Sequence, residues 1–256
     1  FLSNTQFGIK LNQKNIFFNL YGQYSISSDY RLPNGDYLFD SRFMQNSVKF
    51  SLGHRKNNFQ NIFRYQLHTE ATGIPGHVHG DPSTIDIMQV TSSSVDIFED
   101  YKPTRPTQYI YNQLFVYESS YMKDNFKYSM HAGHFVNNLQ EWDAWTKPAF
   151  DLTLTNTQLT PNIRFDNKNI TVNVGAQMIL SENKNATLER LIPDVNSFNI
   201  GTYLIVDYKT KNLGYNVGVR SDYKKIESYD PILDEDYIND FYNTSVSTGL
   251  YYQLKD

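Results

Sequence analysis

The stretch VNSFNIGTYLIVDYKTKNLGYNVGVRSDY, residues 195–223, decides the fold that the sequence predicts. Apolar and aromatic residues alternate with polar residues on both sides of a short polar segment at 209–212. The apolar positions are Phe198, Ile200, Leu204, Val206 and Tyr208 before this segment, and Leu213, Tyr215, Val217, Val219 and Tyr223 after it. Alternation with period two around a short turn predicts an antiparallel hairpin that has one apolar and one polar face.

The dimensions of this hairpin match a membrane wall. Each arm runs roughly ten residues or more, whereas strands in globular domains commonly have about five to six. Aromatic residues stand near both ends of the apolar face, for example Phe198 and Tyr208. Ten steps of about 3.3 Å at a tilt of about 40° give a height of roughly 25 Å, the height of the apolar band of an outer-membrane barrel.

Composition narrows the class of protein without contradicting a barrel. The chain has 256 residues, a formal net charge of −4 and no cysteine. The charge does not indicate a nucleic-acid-binding surface, and the lack of cysteine excludes disulfides, thiolate metal sites and cysteine nucleophiles. No apolar run approaches the roughly 18 residues of a membrane-spanning helix. The first residues lack the pattern of a signal peptide, so we expect a removed leader or a start inside a longer protein.

The same alternation recurs along the chain and predicts about eleven strands. Short polar turns fall near residues 12, 57, 124, 167 and 210, and longer connections lie between them, the longest from Thr69 to Thr107. The segment at about 225–241 is predicted to be another long loop. Alternate connections of a meander lie on the same side of the sheet. The sequence therefore predicts an all-β, antiparallel up-and-down transmembrane β-barrel segment with short turns on one side and long loops on the other.

Several strings resemble those of a known family. They are GIPGHVHGD at 73–81, RPTQ at 105–108, LIPD at 191–194, NVGVRSDY at 216–223 and VSTGLYYQLKD at 246–256. Their order and spacing resemble the middle portion of the barrel domain of TonB-dependent outer-membrane receptors, in particular the Bacteroidetes type. Such receptors have about 22 strands and a plugged lumen. The resemblance implies that residues 1–256 form a single partial barrel domain, without the plug domain and the C-terminal strands.

The resemblance also implies a function and a set of partners. The function would be uptake of a scarce nutrient, such as an iron-siderophore, haem or another metal complex, energised by the TonB–ExbB–ExbD complex through the plug. Lipid and lipopolysaccharide of a Gram-negative outer membrane would surround the barrel; no nucleic acid and no resident cofactor are expected. Nothing in the sequence indicates an enzyme. A passive porin or structural barrel is the alternative, and a soluble β-sandwich binding module is a third.

The longest connection contains one metal-like motif, His77-Val78-His79-Gly80-Asp81. Alternate residues of an extended segment point the same way, so His77, His79 and Asp81 could converge on one cation or on a metal-bearing ligand. The alternative is a polar loop that packs on its neighbours without metal. His131 and His134 are expected on opposite faces of their strand, which disfavours a shared metal there.

Other candidate ligand contacts are aromatic or charged. Trp142 and Trp145 could stack on a ligand ring from an outer loop, or cap the barrel rim as interfacial aromatics. Arg220 and Asp222 are predicted to face the lumen, together with Arg64, Gln66, Gln177 and Asp207. These polar residues could line a substrate path, or form ion pairs within the wall and contacts to the plug.

Overall fold

The computed structural model describes residues 2–38, 40–75, 91–92, 103, 106–143, 147–187, 190, 192–230 and 235–254. Every regular element in these ranges is a strand, and none of the described segments is a helix long and apolar enough to cross a membrane. The strands are β1 (Leu2–Gln13), β2 (Ile16–Ser27), β3 (Tyr30–Arg31), β4 (Tyr37–Leu38), β5 (Phe43–Lys56), β6 (Phe59–Gly73), β7 (Thr91–Ser92), β8 (Thr107–Lys123), β9 (Phe126–Trp142), β10 (Phe150–Asp166), β11 (Ile170–Asn185), β12 (Asp194–Lys209), β13 (Leu213–Asp230) and β14 (Glu235–Tyr252).

Eleven of these strands form one antiparallel meander. Their order is β1-β2-β5-β6-β8-β9-β10-β11-β12-β13-β14, so each strand pairs with its nearest long neighbours along the chain. The remaining three short strands form a separate sheet in the order β3-β4-β7. The predicted all-β, up-and-down barrel segment of about eleven strands is confirmed, and the small second sheet is an addition that the sequence did not predict.

The connections are sorted by length between the two ends of the sheet. Two-residue turns follow β1, β5 and β8, and three-residue turns follow β10 and β12. Lys14, Asn57 and Asp124 begin the two-residue turns with φ of 51°, 53° and 51°. This left-handed region favours Asn and Asp among residues other than glycine. The longer connections all lie at the opposite end, as the sequence predicts.

Strand register gives the sheet two chemically different faces. Val174, Leu204, Val219 and Val246 pair in one row across β11–β14, and Val174 and Val246 are 47% and 73% exposed to solvent. We call this apolar side the outer face. The row Gln177, Gly201, Asp222 and Asn243 belongs to the opposite, polar side, the inner face. Exposed apolar residues outside and polar residues inside are typical of a transmembrane barrel wall.

Two predicted boundaries are wrong. The longest connection was expected to begin at Thr69, but β6 continues to Gly73. The segment at 225–241 was expected to be a loop, but β13 continues to Asp230 and β14 begins at Glu235. Lys225 pairs with Asp240 and Glu227 pairs with Ile238 in a continuous ladder. Beyond the apolar band both faces mix charged with apolar residues, such as Lys225 and Tyr229 on the outer face, so the alternation disappears while backbone pairing continues.

A buried ion pair fixes the base of the first long connection. Asp29 and Arg42 are 2% and 1% exposed, and Arg42 Nη2 donates to Asp29 Oδ2 at 2.7 Å. Asp29 Oδ1 also accepts the backbone N–H groups of Ser41 and Arg42, at 2.9 and 3.1 Å. The N–H of Gly73 donates to the carbonyl of Arg42 at 2.9 Å. The connection is thereby attached to the end of β6.

Candidate functional site on the inner face

The predicted pair Arg220 and Asp222 lies on the inner face near the middle of β13. Arg220 Nη2 donates to Asp222 Oδ1 at 2.6 Å, and Arg220 Nε donates to Asp222 Oδ2 at 2.8 Å. Arg220 Nη2 also donates to Gln177 Oε1 on β11 at 3.1 Å. Both charged groups lie over Gly201 of β12, where a Cβ atom would collide with each of them. A planar, two-point ion pair of this kind has a well-defined geometry.

A cluster of neutral side chains lies next to this ion pair, towards the short turns. The ring of Tyr203 covers Gly175, where a Cβ atom would collide with the ring. Asn162 Nδ2 donates to the Tyr203 hydroxyl at 2.9 Å and to Asn173 Oδ1 at 2.5 Å. The sequence reasoning did not single out Asn162 or Tyr203; their positions on the polar side of the alternation were the available signal.

A second charged cluster occupies β6, β8 and β9. Arg64 Nη1 lies 2.8 Å from Glu118 Oε1, and His131 Nδ1 lies 3.9 Å from the same oxygen. His134 faces outward, where its Nδ1 lies 2.8 Å from Thr157 Oγ1. The opposite orientation of the two histidines is confirmed. Glu118 was missed, because the alternation is weak in that part of the sequence.

A third cluster lies towards the end of the sheet that carries the long connections. Ser47 Oγ and His68 Nδ1 are 2.8 Å apart, and His68 Nε2 lies 3.3 Å from Glu70 Oε2. Thr72 Oγ1 donates to Glu70 Oε1 at 2.7 Å. On the neighbouring strands Asn137 donates to Asn112, the residue that pairs with His68. Sequence reasoning missed this hydrogen-bond network, because its residues come from different strands.

Of the other predicted ligand contacts, Trp142 is described and does not join these clusters. His77, His79, Asp81 and Trp145 lie outside the described residues. Trp142 ends β9 on the outer face, where its Nε1 donates to Gln140 Oε1 at 3.0 Å. Within the described ranges, no three His, Asp or Glu side chains are placed to hold a metal ion.

The inner face is best suited to contact polar solutes or polar protein surface. Gln66 and Asp207 also belong to this face, and Asp207 accepts a short hydrogen bond from Asn216. Arg164 Nε donates to Asp166 Oδ2 at 2.7 Å near the short turns. Arg64, Arg164 and Arg220 on the inner face are each partnered by a carboxylate, whereas Arg55 on the same face donates to the side-chain oxygen of Gln60.

Comparisons with solved structures identify the same architecture in outer-membrane transporters. The FrpB iron transporter from Neisseria meningitidis (F3-3 variant) matches with a TM-score of 0.72 and 12% identity over 100% of this chain and 44% of the transporter. The siderophore receptor PiuA from Acinetobacter baumannii matches with a TM-score of 0.64 and 11% identity, over 99% of this chain and 46% of the receptor. The copper transporter OprC matches with a TM-score of 0.63 and 10% identity, over 100% of this chain and 42% of that protein.

These structural neighbours are transporters and receptors rather than enzymes, and FrpB and PiuA are among those that are TonB-dependent receptors. The chain spans less than half the length of each of these three proteins. No protein-family model and no curated protein sequence matches the chain. At 10–12% identity the likeness shows the fold alone: an antiparallel meander similar to part of the barrel wall of these proteins.

Proposed function

We propose that this chain is part of the barrel of a TonB-dependent receptor in the outer membrane of a Gram-negative bacterium. The receptor imports a scarce nutrient such as an iron-siderophore, haem or another metal complex. The observation that carries this proposal is the eleven-strand meander with an apolar outer face and a polar inner face. The architecture that it shares with iron, siderophore and copper transporters supports the same reading.

The open edges support a larger barrel. The sheet ends at β1 on one side and at β14 on the other, and these strands do not pair with each other. As the first and eleventh strands of an antiparallel meander they run in the same direction, so they cannot close antiparallel. Unpaired backbone groups in hydrocarbon cost several kcal/mol each. An odd number of further strands satisfies both edges, and about eleven of them give the 22-stranded barrel of plugged transporters.

The partners follow from this proposal. The TonB–ExbB–ExbD complex drives uptake through a plug domain that is separate from residues 1–256. Lipid and lipopolysaccharide cover the outer face, and the metal complex or other small-molecule substrate meets the long connections first. The resemblance noted in the sequence supports a receptor of the Bacteroidetes type.

We propose that His77, His79, Asp81 and Trp145 contact the incoming ligand together with the neighbouring long connections. Two imidazoles and one carboxylate suit a metal-bearing ligand. Replacement of His77, His79 and Asp81 by alanine is expected to weaken ligand binding while barrel assembly continues. Unchanged affinity in this triple variant, measured by uptake of the labelled ligand over a concentration series, would remove the metal contact from the proposal.

Energised uptake tests the function itself. In a strain that depends on the complete protein carrying this chain, uptake of radiolabelled ferric chelates and haem is measured with and without the TonB complex. We expect uptake of at least one of these compounds to require both the protein and the TonB complex. Uptake that needs the protein but persists undiminished without TonB would instead identify a passive porin.

A further inference from the structure

The inner face is electrically asymmetric, and its basic side contains a concavity. On the inner face, strands β1, β2 and β5 carry Lys10, Lys49 and Arg55 but no Asp or Glu. On strands β12–β14 the described charged residues of the inner face balance, with Asp207, Asp222 and Glu235 against Lys209, Arg220 and Lys224. An excess of positive charge on one side of a low-dielectric wall raises the local concentration of anions there.

The concavity of about 210 Å³ lies where β2, β5, β6 and β8 run side by side. Two consecutive rungs of the inner face form it. One rung is Tyr21, Lys49, Gln66 and Leu114, and the other is Asn19, Ser51, Arg64 and Val116. Its size equals the liquid volume of about seven water molecules, which is room for a small organic molecule or for one arm of a larger one.

Its lining combines positive charge with an apolar wall. Lys49 is exposed and has no carboxylate partner in the part of the chain that the structure describes. Arg64 is paired with Glu118, but its side chain remains 43% exposed, and a guanidinium has five N–H donors. Leu114 and Val116 form the side of the concavity on β8. Asn19 donates to Ser51 at 3.0 Å, which holds these two polar groups at the floor.

We propose that this concavity binds a small carboxylate, or the carboxylate arm of a larger solute. The carboxylate lies against Lys49 and Arg64, and the carbon part packs on Leu114 and Val116. The inference rests on the proposed function, because the inner face then lines the path of an imported solute. It adds a specific anion subsite to that path, at membrane depth and apart from the long connections.

Binding to the complete protein in detergent, measured by titration calorimetry at low ionic strength, tests this subsite. The probes are succinate and succinamide, which have similar size but differ in charge. We expect succinate to bind at least about fivefold more tightly than succinamide, since one partly exposed charge contact is worth on the order of 1 kcal/mol. Equal affinity for the two probes, or no succinate binding, would overturn the proposal.

Two lysine variants locate the site. Lys49→Gln is expected to lower the affinity for succinate about fivefold, and Lys49→Arg is expected to retain most of it. Lys224→Gln is the matched control, because Lys224 is also an exposed lysine on the inner face but lies on β13, outside the concavity. Unchanged binding in Lys49→Gln, or an equal loss in Lys224→Gln, would contradict the assignment. This binding is measured in detergent and needs no energised membrane. If the complete protein binds succinate but supports no TonB-dependent uptake, the proposed function is contradicted and the subsite is not.

Discussion

At the scale of single residues, glycines on the inner face act as spaces that neighbouring side chains fill. The Tyr203 ring lies over Gly175, and in that position its hydroxyl accepts a hydrogen bond from Asn162. Gly201 gives the same room to the Arg220–Asp222 pair. Because the larger group comes from an adjacent strand, the sequence shows the glycine but not its occupant.

The Gly175 site predicts a measurable packing effect. Gly175→Ala should displace the Tyr203 ring, break the Asn162 hydrogen bond and cost about 1–3 kcal/mol of unfolding free energy. Gly133→Ala is the control, because the nearest atom to its added Cβ is the Phe115 carbonyl oxygen at 3.9 Å. Urea unfolding of the complete protein from lipid vesicles measures both. Equal effects of the two substitutions would show that Tyr203 does not depend on the space at Gly175.

The buried pair Asp29–Arg42 predicts a local effect. Asp29→Asn leaves the Arg42 charge buried without a counter-charge, and breaking such a pair costs about 3–5 kcal/mol. We expect faster cleavage by trypsin at Arg31 in the connection that the pair anchors. Asp36→Asn is the control, since Asp36 lies in the same connection and its carboxylate accepts a hydrogen bond from the exposed side chain of Asn34. The same cleavage rate in both variants would contradict an anchoring role.

At this scale the sequence predicts the face on which a side chain lies but not its partner on another strand. Alternation correctly placed Arg64, Gln177, Arg220 and Asp222 on the inner face. It did not predict that Glu118 joins Arg64 to His131, because that contact depends on the register between β6 and β8. A long connection links these strands, and only short turns fix register locally.

At the scale of elements, the strands are longer than the membrane requires. An 18-residue strand such as β13 is about 60 Å long and rises roughly 45 Å at a tilt of 40°, whereas the apolar band needs about 25 Å. The excess length of the strand lies beyond the apolar band, towards the long connections, where the outer face of β13 carries Lys225 and Glu227. For this reason strands within the band were predictable from alternation, and the 225–241 segment was not.

Two neighbouring positions on β11 test the assignment of the faces. Val174→Arg places a charge in the apolar band and should cost about 2–4 kcal/mol. Asn173→Arg faces the lumen and loses mainly the hydrogen bond from Asn162, about 1 kcal/mol. A refolding titration of the complete protein in lipid vesicles gives both values. Equal costs would contradict the outer and inner assignment.

At the scale of the whole molecule, topology and connection lengths were predictable because they depend on local signals. Turn residues and period-two alternation specify an up-and-down meander without knowledge of any long-range contact. The pairing of β4 with β7 was not predictable, because it joins two separate long connections through strands of two residues each. The unpaired edges at β1 and β14 are the basis of the proposal that this meander belongs to a larger closed barrel.

Cysteine labelling on intact cells tests most directly whether this chain crosses the outer membrane with its long connections outside. The chain contains no cysteine, so single substitutions add unique sites to it. Asn34→Cys lies in an exposed part of a long connection, and Lys168→Cys lies in an exposed short turn. With a membrane-impermeant maleimide, we predict that Asn34→Cys is labelled on intact cells and that Lys168→Cys is labelled only after the outer membrane is opened. Labelling of both positions on intact cells, or of Lys168→Cys alone, would contradict the transmembrane arrangement.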